Sequence, residues 1–510
     1  MDGATWSDPD SPGWVRHLGD DDAAWAALIR DYGGPSIASR PFRQVASIAR
    51  ESGCISVVVE NRYVDTDYRS EFSASWSQQK FESWSSFSRR LHFFRTLISE
   101  DQFHSLPSSE EYIGYACVRP IPLGRVGRTV LAPPPRLAGA TLALINDRVN
   151  LFGTDLKIRG APFCQQDTEF LRCAHAAAWM CHYSATRRQL VGRQATASLV
   201  AASPTILSIE RPLPSKGMTL NQLQAVFGAF GQPALFYGLS RMPRVRTVDN
   251  PEPTLDANGE PLPPGMWDTR IFSVICRYLN SGYPVLVGTK NHAFVIVGWF
   301  KEADEIRLVA TDDQQGPYEV IESPWSDHRA PWLSVMVPLP PKVLLSAEAA
   351  ENDAHKTFSF WASIPDAPQP LRDLAQAVGA RPKQVSFRTF LREGSSYKRD
   401  LVSRGLPLPA VRNLRLARLP HYVWVVEAQD VGVRRSGEPC VVAEAVYDST
   451  SNDRTPTRRA VLLPGLCSVY PPDQGRPVHE FTHIQRWMTQ LPIEEGVSVP
   501  EPRPAQPIPL

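Results

Sequence analysis

Asn291-His292-Ala293-Phe294-Val295-Ile296-Val297-Gly298-Trp299 puts a histidine at the head of an apolar run, and Ile306-Arg307-Leu308-Val309-Ala310-Thr311 is a second such run that closes on Asp312 and Asp313. Short β-branched runs of this kind read as strands. If the two form a hairpin, the end of the second returns beside the start of the first. One of the aspartates then lands next to His292, where a carboxylate can orient an imidazole through one of its nitrogens. Pro284–Gly288 and Trp332–Val337 are further strand candidates around this pair. Helices are expected at Cys173–Arg187, Leu220–Phe230 and Thr269–Leu279. Helices first and an antiparallel sheet afterwards give an α+β fold for residues 161–340.

Cys173 supplies the third group. It follows the polar stretch Gln165-Gln166-Asp167-Thr168-Glu169 and opens a helix with Ala174, Ala176, Ala177 and Ala178. A nucleophilic cysteine acts as a thiolate, which a helix N-terminus and a neighbouring imidazolium both favour. Small residues behind it let the helix pack closely. A side-chain amide just before the nucleophile can complete an oxyanion hole, and Gln165 and Gln166 are the candidates. Each residue also has a plainer reading. Free cysteine is commonly a small buried hydrophobe, a strand-end histidine can be satisfied by backbone, and Asp312-Asp313-Gln314-Gln315-Gly316-Pro317 is good turn chemistry without catalysis. Asp312 follows its strand directly and is preferred to Asp313.

This ordered set resembles the papain-like cysteine peptidases, most closely the bacterial branch that includes bacteriocin-leader-processing peptidases. The residues that carry the resemblance are Gln165-Gln166, Cys173, Tyr283-Pro284-Val285-Leu286-Val287-Gly288, His292–Gly298 and Asp312–Tyr318. It covers residues 161–340. It implies a papain-like core in which a helix carrying cysteine packs on an antiparallel sheet carrying histidine and aspartate. It further implies Cys173 as nucleophile, His292 as base, Asp312 as orienter and Gln166 as oxyanion donor, acting on a protein or peptide substrate without metal or organic cofactor. Two departures bear on the oxyanion hole. Gln166 lies seven positions before Cys173 and Gln165 eight, where the family uses six, and Ala174 stands where relatives carry glycine or tryptophan.

Elsewhere the chain is less informative. At 510 residues it should hold several domains. The expected divisions are an arm at 1–35, an α+β domain at 36–160, the thiol domain at 161–340, a C-terminal α+β domain at 341–499 after the linker Pro338–Pro341, and a proline-rich tail at 500–510. In the first domain, strands are expected at Ser56–Glu60, Asp67–Gln78 and Tyr112–Val118, and a helix at Phe87–Ile98. In the C-terminal domain, helices are expected at Leu371–Val378, Phe387–Leu401 and Val478–Leu491, and strands at Tyr422–Glu427 and Val441–Tyr447. Fifty-four basic residues balance 53 acidic ones, so no global field points to nucleic acid or an anionic membrane. No apolar stretch reaches membrane-span length. Eight irregularly spaced cysteines do not suggest a disulfide framework. Together these give an expectation of a soluble, reduced, cytoplasmic protein, and the resemblance implies a bacterial one.

Three alternatives accompany the hydrolase reading. A transglutaminase-like acyltransferase uses the same triad. A zinc hydrolase would use the H-E-x-x-H sequence His479-Glu480-Phe481-Thr482-His483, whose spacing on a helix puts both imidazoles on one face. An inactive papain-like scaffold would leave the flanking domains as protein-interaction modules. Structural zinc among Cys164, Cys173, His175, Cys181 and His182 is a weaker candidate, because no C-x-x-C pair is present.

Overall fold

Residues 14–35, 39–79, 83–188, 191–202, 218–238, 269–302, 305–321, 332–379, 385–435, 438–471, 478–481 and 488–489 are described by a computed structural model. Their fold is α+β with antiparallel sheets. The chain divides into two units. The first takes Met1–Asp268, Tyr283–Pro341 and Ser498–Leu510, and the second takes Thr269–Gly282 and Lys342–Val497. The expected 36–160 and 161–340 domains therefore fall in one unit, except that Thr269–Gly282 belongs to the other. The linker at Pro338–Pro341 ends where the second unit resumes.

In the first unit the helices are α1 (Asp22–Gly33), α2 (Arg40–Glu51), α3 (Thr66–Ala74), α4 (Cys173–Arg187), α5 (Thr196–Ala202) and α6 (Leu220–Ala229). Its strands are β1 (Val15–His17), β2 (Ser56–Tyr63), β3 (Ser88–Phe94), β4 (Tyr112–Val118), β5 (Val126–Leu131), β6 (Thr141–Leu142), β7 (Ile145–Leu151), β8 (Thr154–Phe163), β9 (Ala234–Gly238), β10 (Val285–Thr289), β11 (Ala293–Glu302), β12 (Glu305–Asp312), β13 (Gly316–Ile321) and β14 (Trp332–Pro338). One sheet runs β1-β2-β3-β4-β5-β8-β7 and the other β13-β12-β11-β10-β14-β9. The short β6 pairs with β11 of the second sheet, so the N-terminal segment is built into the sheet that carries His292. Tyr318 makes a further tie, donating its hydroxyl hydrogen to Leu131 O at 2.8 Å and accepting from Ala161 N at 2.7 Å. One hydrophobic core joins Val57, Phe93, Tyr115, Ala177, Val295 and Met336.

The second unit contains α7 (Thr269–Asn280), α8 (Ala347–Ser359), α9 (Gln369–Gly379), α10 (Gly394–Asp400) and α11 (Leu408–Leu416). Its strands are β15 (Val385–Glu393), β16 (Tyr422–Arg435), β17 (Glu438–Asp448), β18 (Arg458–Leu463), β19 (Leu466–Val469), β20 (Val478–Phe481) and β21 (Met488–Thr489). The sheet order is β15-β16-β17-β18-β19-β20, with β21 on β17. Arg404, fully buried, bridges the buried carboxylates of Glu427 at 3.3 Å and Glu444 at 2.7 Å.

Four expected elements take another form. Asp67–Gln78 is α3 followed by a 3-10 turn, not a strand. Asp65 caps α3 by accepting from Asp67 N and Tyr68 N, and α3 buries Asp67 and Glu71, so no apolar periodicity marks it. Phe87–Ile98 contains β3 in place of a helix. Six of its seven residues are buried, on both faces, which removes the alternation that would announce a strand. Phe387–Leu401 is the end of β15 followed by α10. The late helix at Val478–Leu491 is replaced by β20, which pairs Ser468 with His479 and Cys467 with Glu480, and by β21. Among the described residues, no helix is long and apolar enough to cross a membrane. All eight cysteines are free thiols.

Candidate active site

β11 and β12 form the hairpin expected from their sequences, with Val295 opposite Thr311 and Ile296 opposite Ala310. Continuing that register puts Asp312 opposite Phe294, on the face that His292 also takes two residues earlier. His292 itself ends a tight turn. Thr289 N donates to His292 O at 2.8 Å, and His292 N donates to Thr289 Oγ1 at 3.1 Å. The imidazole stacks on Phe294, with ring centres 6.1 Å apart, and Phe294 packs edge-on against Trp332. The ring is thus fixed by backbone at one end and by aromatic packing along its face.

His292 Nε2 lies 2.9 Å from Asp312 Oδ2 and 3.7 Å from Asp313 Oδ1. Asp312 is itself locked in place, because its Oδ1 accepts from Gln314 N at 2.8 Å. The Gln314 side-chain amide sits 3.3 Å from His292 Nδ1. Cys173, half-buried as the first residue of α4, is also a hydrogen-bonding neighbour of His292. Burial opposes charge on this imidazole. The hydrogen bonds to Asp312 and Cys173 and the two nearby carboxylates outweigh it and raise the His292 pKa to about 10. Asp313 is fully buried, and burial together with adjacent Asp312 pushes its pKa up, while His292 opposes the shift.

α4 presents Cys173 because the helix is buried nearly all round, from Ala174 to Ala185. A helix apolar on every side belongs in the core, and this one packs on β11, β10 and β8. The loop ahead of it is wound around Asp167, whose Oδ1 accepts from Glu169 N, Phe170 N and Leu171 N at 2.8–2.9 Å. Gln165 is buried, and its side-chain oxygen accepts from Val126 N at 3.1 Å. Gln166 is half-buried, and its backbone N–H faces the Asp313 carboxylate. Gly124 gives the loop room, since a Cβ there would lie 2.1 Å from Gln166 O. Beneath it, buried Arg119 pairs with Glu71 at 2.9 Å and donates to Gln165 O at 2.6 Å and to Gly124 O.

Cys173, His292, Asp312, Asp313 and Gln166 therefore come together. The chain matches no protein-family model and no curated protein.

The other sequence candidates do not assemble. His182 is a core histidine, with Nδ1 2.6 Å from Gln232 Oε1 and Nε2 accepting from Gln194 N. His175 is buried in the first turn of α4, and burial lowers its pKa to about 4. Among the described residues, the histidine, cysteine and acidic side chains whose ligand atoms converge are His292, Asp312 and Asp313, and the group around Cys164, His175 and Cys181 is not among them. His479 and Glu480 lie on β20, so the helical face that H-E-x-x-H requires is missing there, and His483 lies outside the described residues. Thr289, Gln314, Arg119 and Asp167 were not singled out by sequence. Thr289-Lys290-Asn291-His292 between two apolar runs is a hairpin signal that could have found the first of them.

Proposed function

We propose that the first unit is a papain-like thiol hydrolase that cleaves an amide or isopeptide bond in a protein or peptide. The observation that carries this reading is His292 held between Asp312 and Cys173, with the cysteine at the first turn of a buried helix. Helix, histidine strand and aspartate also follow one another in the order used by papain-like enzymes. An imidazole kept protonated up to about pH 10 suits a thiolate–imidazolium pair, in which the histidine is ready to act as acid.

In this mechanism the Cys173 sulfur attacks the carbonyl carbon. A C–S bond forms, and the carbonyl π electrons move to oxygen. Gln166 and the Cys173 backbone N–H stabilise that oxyanion. Collapse breaks the C–N bond, and His292 delivers its proton to the leaving amine. His292 then takes a proton from water, whose oxygen attacks the thioester. The C–S bond breaks and the thiolate returns. Asp312 holds the ring throughout and neutralises its charge. No step calls for a cofactor.

The test is incubation of the full chain with a complex peptide library, followed by mass spectrometry for new N-termini and for incorporation of an added primary amine. New termini that vanish in Cys173→Ala support hydrolysis. Amine adducts that vanish in the same variant assign the triad to acyl transfer instead. Neither product, from a folded protein whose Cys173 is no more reactive than its other thiols, contradicts the reading.

A further inference from the structure

Asp313 is the one member of the cluster that the thiol chemistry does not use. Its side chain is completely buried, and neither carboxylate oxygen accepts a hydrogen bond of normal geometry. The polar groups facing it are His292 Nε2 at 3.7 Å, the Gln166 backbone N–H, its own backbone N–H and the carboxylate of Asp312. A buried carboxylate without good partners is costly unless something compensates it. Asp312 beside it is also fully buried, so two acidic groups share a single imidazole.

The spacing of the three donors is informative. His292 Nε2 lies 2.9 Å from one carboxylate and 3.7 Å from the other, and the ligand atoms of all three residues lie within 4.8 Å of one another. Tetrahedral zinc with bonds of about 2.0–2.1 Å requires donors roughly 3.3 Å apart. Those two separations bracket this value, and the third, between the two carboxylates, is within 4.8 Å. Calcium asks for six or more oxygens and magnesium for an octahedron of them, and three donors that include an imidazole suit neither.

We propose that His292, Asp312 and Asp313 bind one divalent transition cation of the zinc class, with the fourth position open to water. Binding itself does not depend on the thiol reading. Its consequence rests on that reading. Metal on Nε2 leaves the remaining ring proton on Nδ1, so the imidazole has no lone pair for the thiol proton. The metal-bound form is an off state of the same site.

The experiment is titration of the full chain with Zn2+ against a chromophoric chelator, in a Cys173→Ser background that removes the thiol. The expected result is one equivalent bound, weakened at least about tenfold by Asp313→Asn and by His292→Ala. Circular dichroism and the unfolding midpoint show that each variant is folded. If Asp313→Asn does not fold, His292→Ala, whose ring sits at the edge of the site, carries the test. Zn2+ binding unchanged in the folded variants overturns the proposal, as does failure to bind an equivalent. Selective alkylation of Cys173 without Zn2+ binding removes the cation site and leaves the thiol reading. Zn2+ binding with an unreactive Cys173 does the reverse.

Discussion

His292 is fixed by Thr289 through backbone, by Phe294 through stacking and by Asp312 through Nε2, and its protonation should report that environment. A proton NMR titration of the ring is expected to give a midpoint near pH 10. Asp312→Asn should bring it down by removing the largest favourable partner. The linkage has a definite sign. The folded pKa lies above the ordinary value of about 6.5, so this group's contribution to stability is complete below that value and is lost as pH rises towards 10. Gly298 is a second position where one atom decides. A Cβ there would stand 2.1 Å from Leu142 Cδ2 and 2.6 Å from Thr141 O, so Gly298→Ala must push β6 off β11. A loss of about 1–3 kcal/mol in urea unfolding is expected. Cys173, His292 and Asp312 were legible at this scale because each has a position its chemistry requires: a helix start, a strand start and a strand end. Gln314 and Arg119 were not, because their roles depend on neighbours distant in sequence or on turn geometry.

Elements were legible where burial was one-sided or simple. β4 and α4 have the boundaries expected of them, Tyr112–Val118 and Cys173–Arg187. The errors cluster where charged groups are buried. β3 carries Arg90 and His92 into the core, where they meet Glu60 at 2.5 Å and 2.9 Å, and α3 buries Asp67 and Glu71. Such elements have neither a clean period of two nor one of 3.6, because ion pairs replace apolar contacts along a whole face. The loop before α4 shows how much a single polar side chain can hold. Asp167→Ala would orphan three backbone N–H groups at once. The Phe170 and Leu171 groups are buried, and each costs about 1–3 kcal/mol when left unpaired in the interior, so urea unfolding should show a loss of at least about 2 kcal/mol. Cys173 alkylation should slow in the same variant as the loop loses its shape.

At the scale of the molecule, the α+β class was legible in the chain. The joining of residues 36–160 with the thiol segment was not, because the shared core and the ties at β6 and Tyr318 have no sequence signature. Nor could the local pattern show that Thr269–Gly282 belongs to the second unit. That unit depends on a charge cluster, with Arg404 between Glu427 and Glu444. Arg404→Met leaves buried Glu444 without its cation and Glu427 with Arg388 alone, and denaturant unfolding should register a loss of about 3–5 kcal/mol. The central claim concerns the first unit and is tested most directly by low-dose iodoacetamide on the folded full chain, with adducts located by peptide mass spectrometry. Cys276 is the natural internal comparison, since it is half-buried like Cys173 while the other six thiols are buried. The account predicts that Cys173 is modified first, at least about tenfold faster than Cys276, and that His292→Ala abolishes the difference. Equal rates at Cys173 and Cys276 in a folded protein, unaffected by His292→Ala, would contradict it.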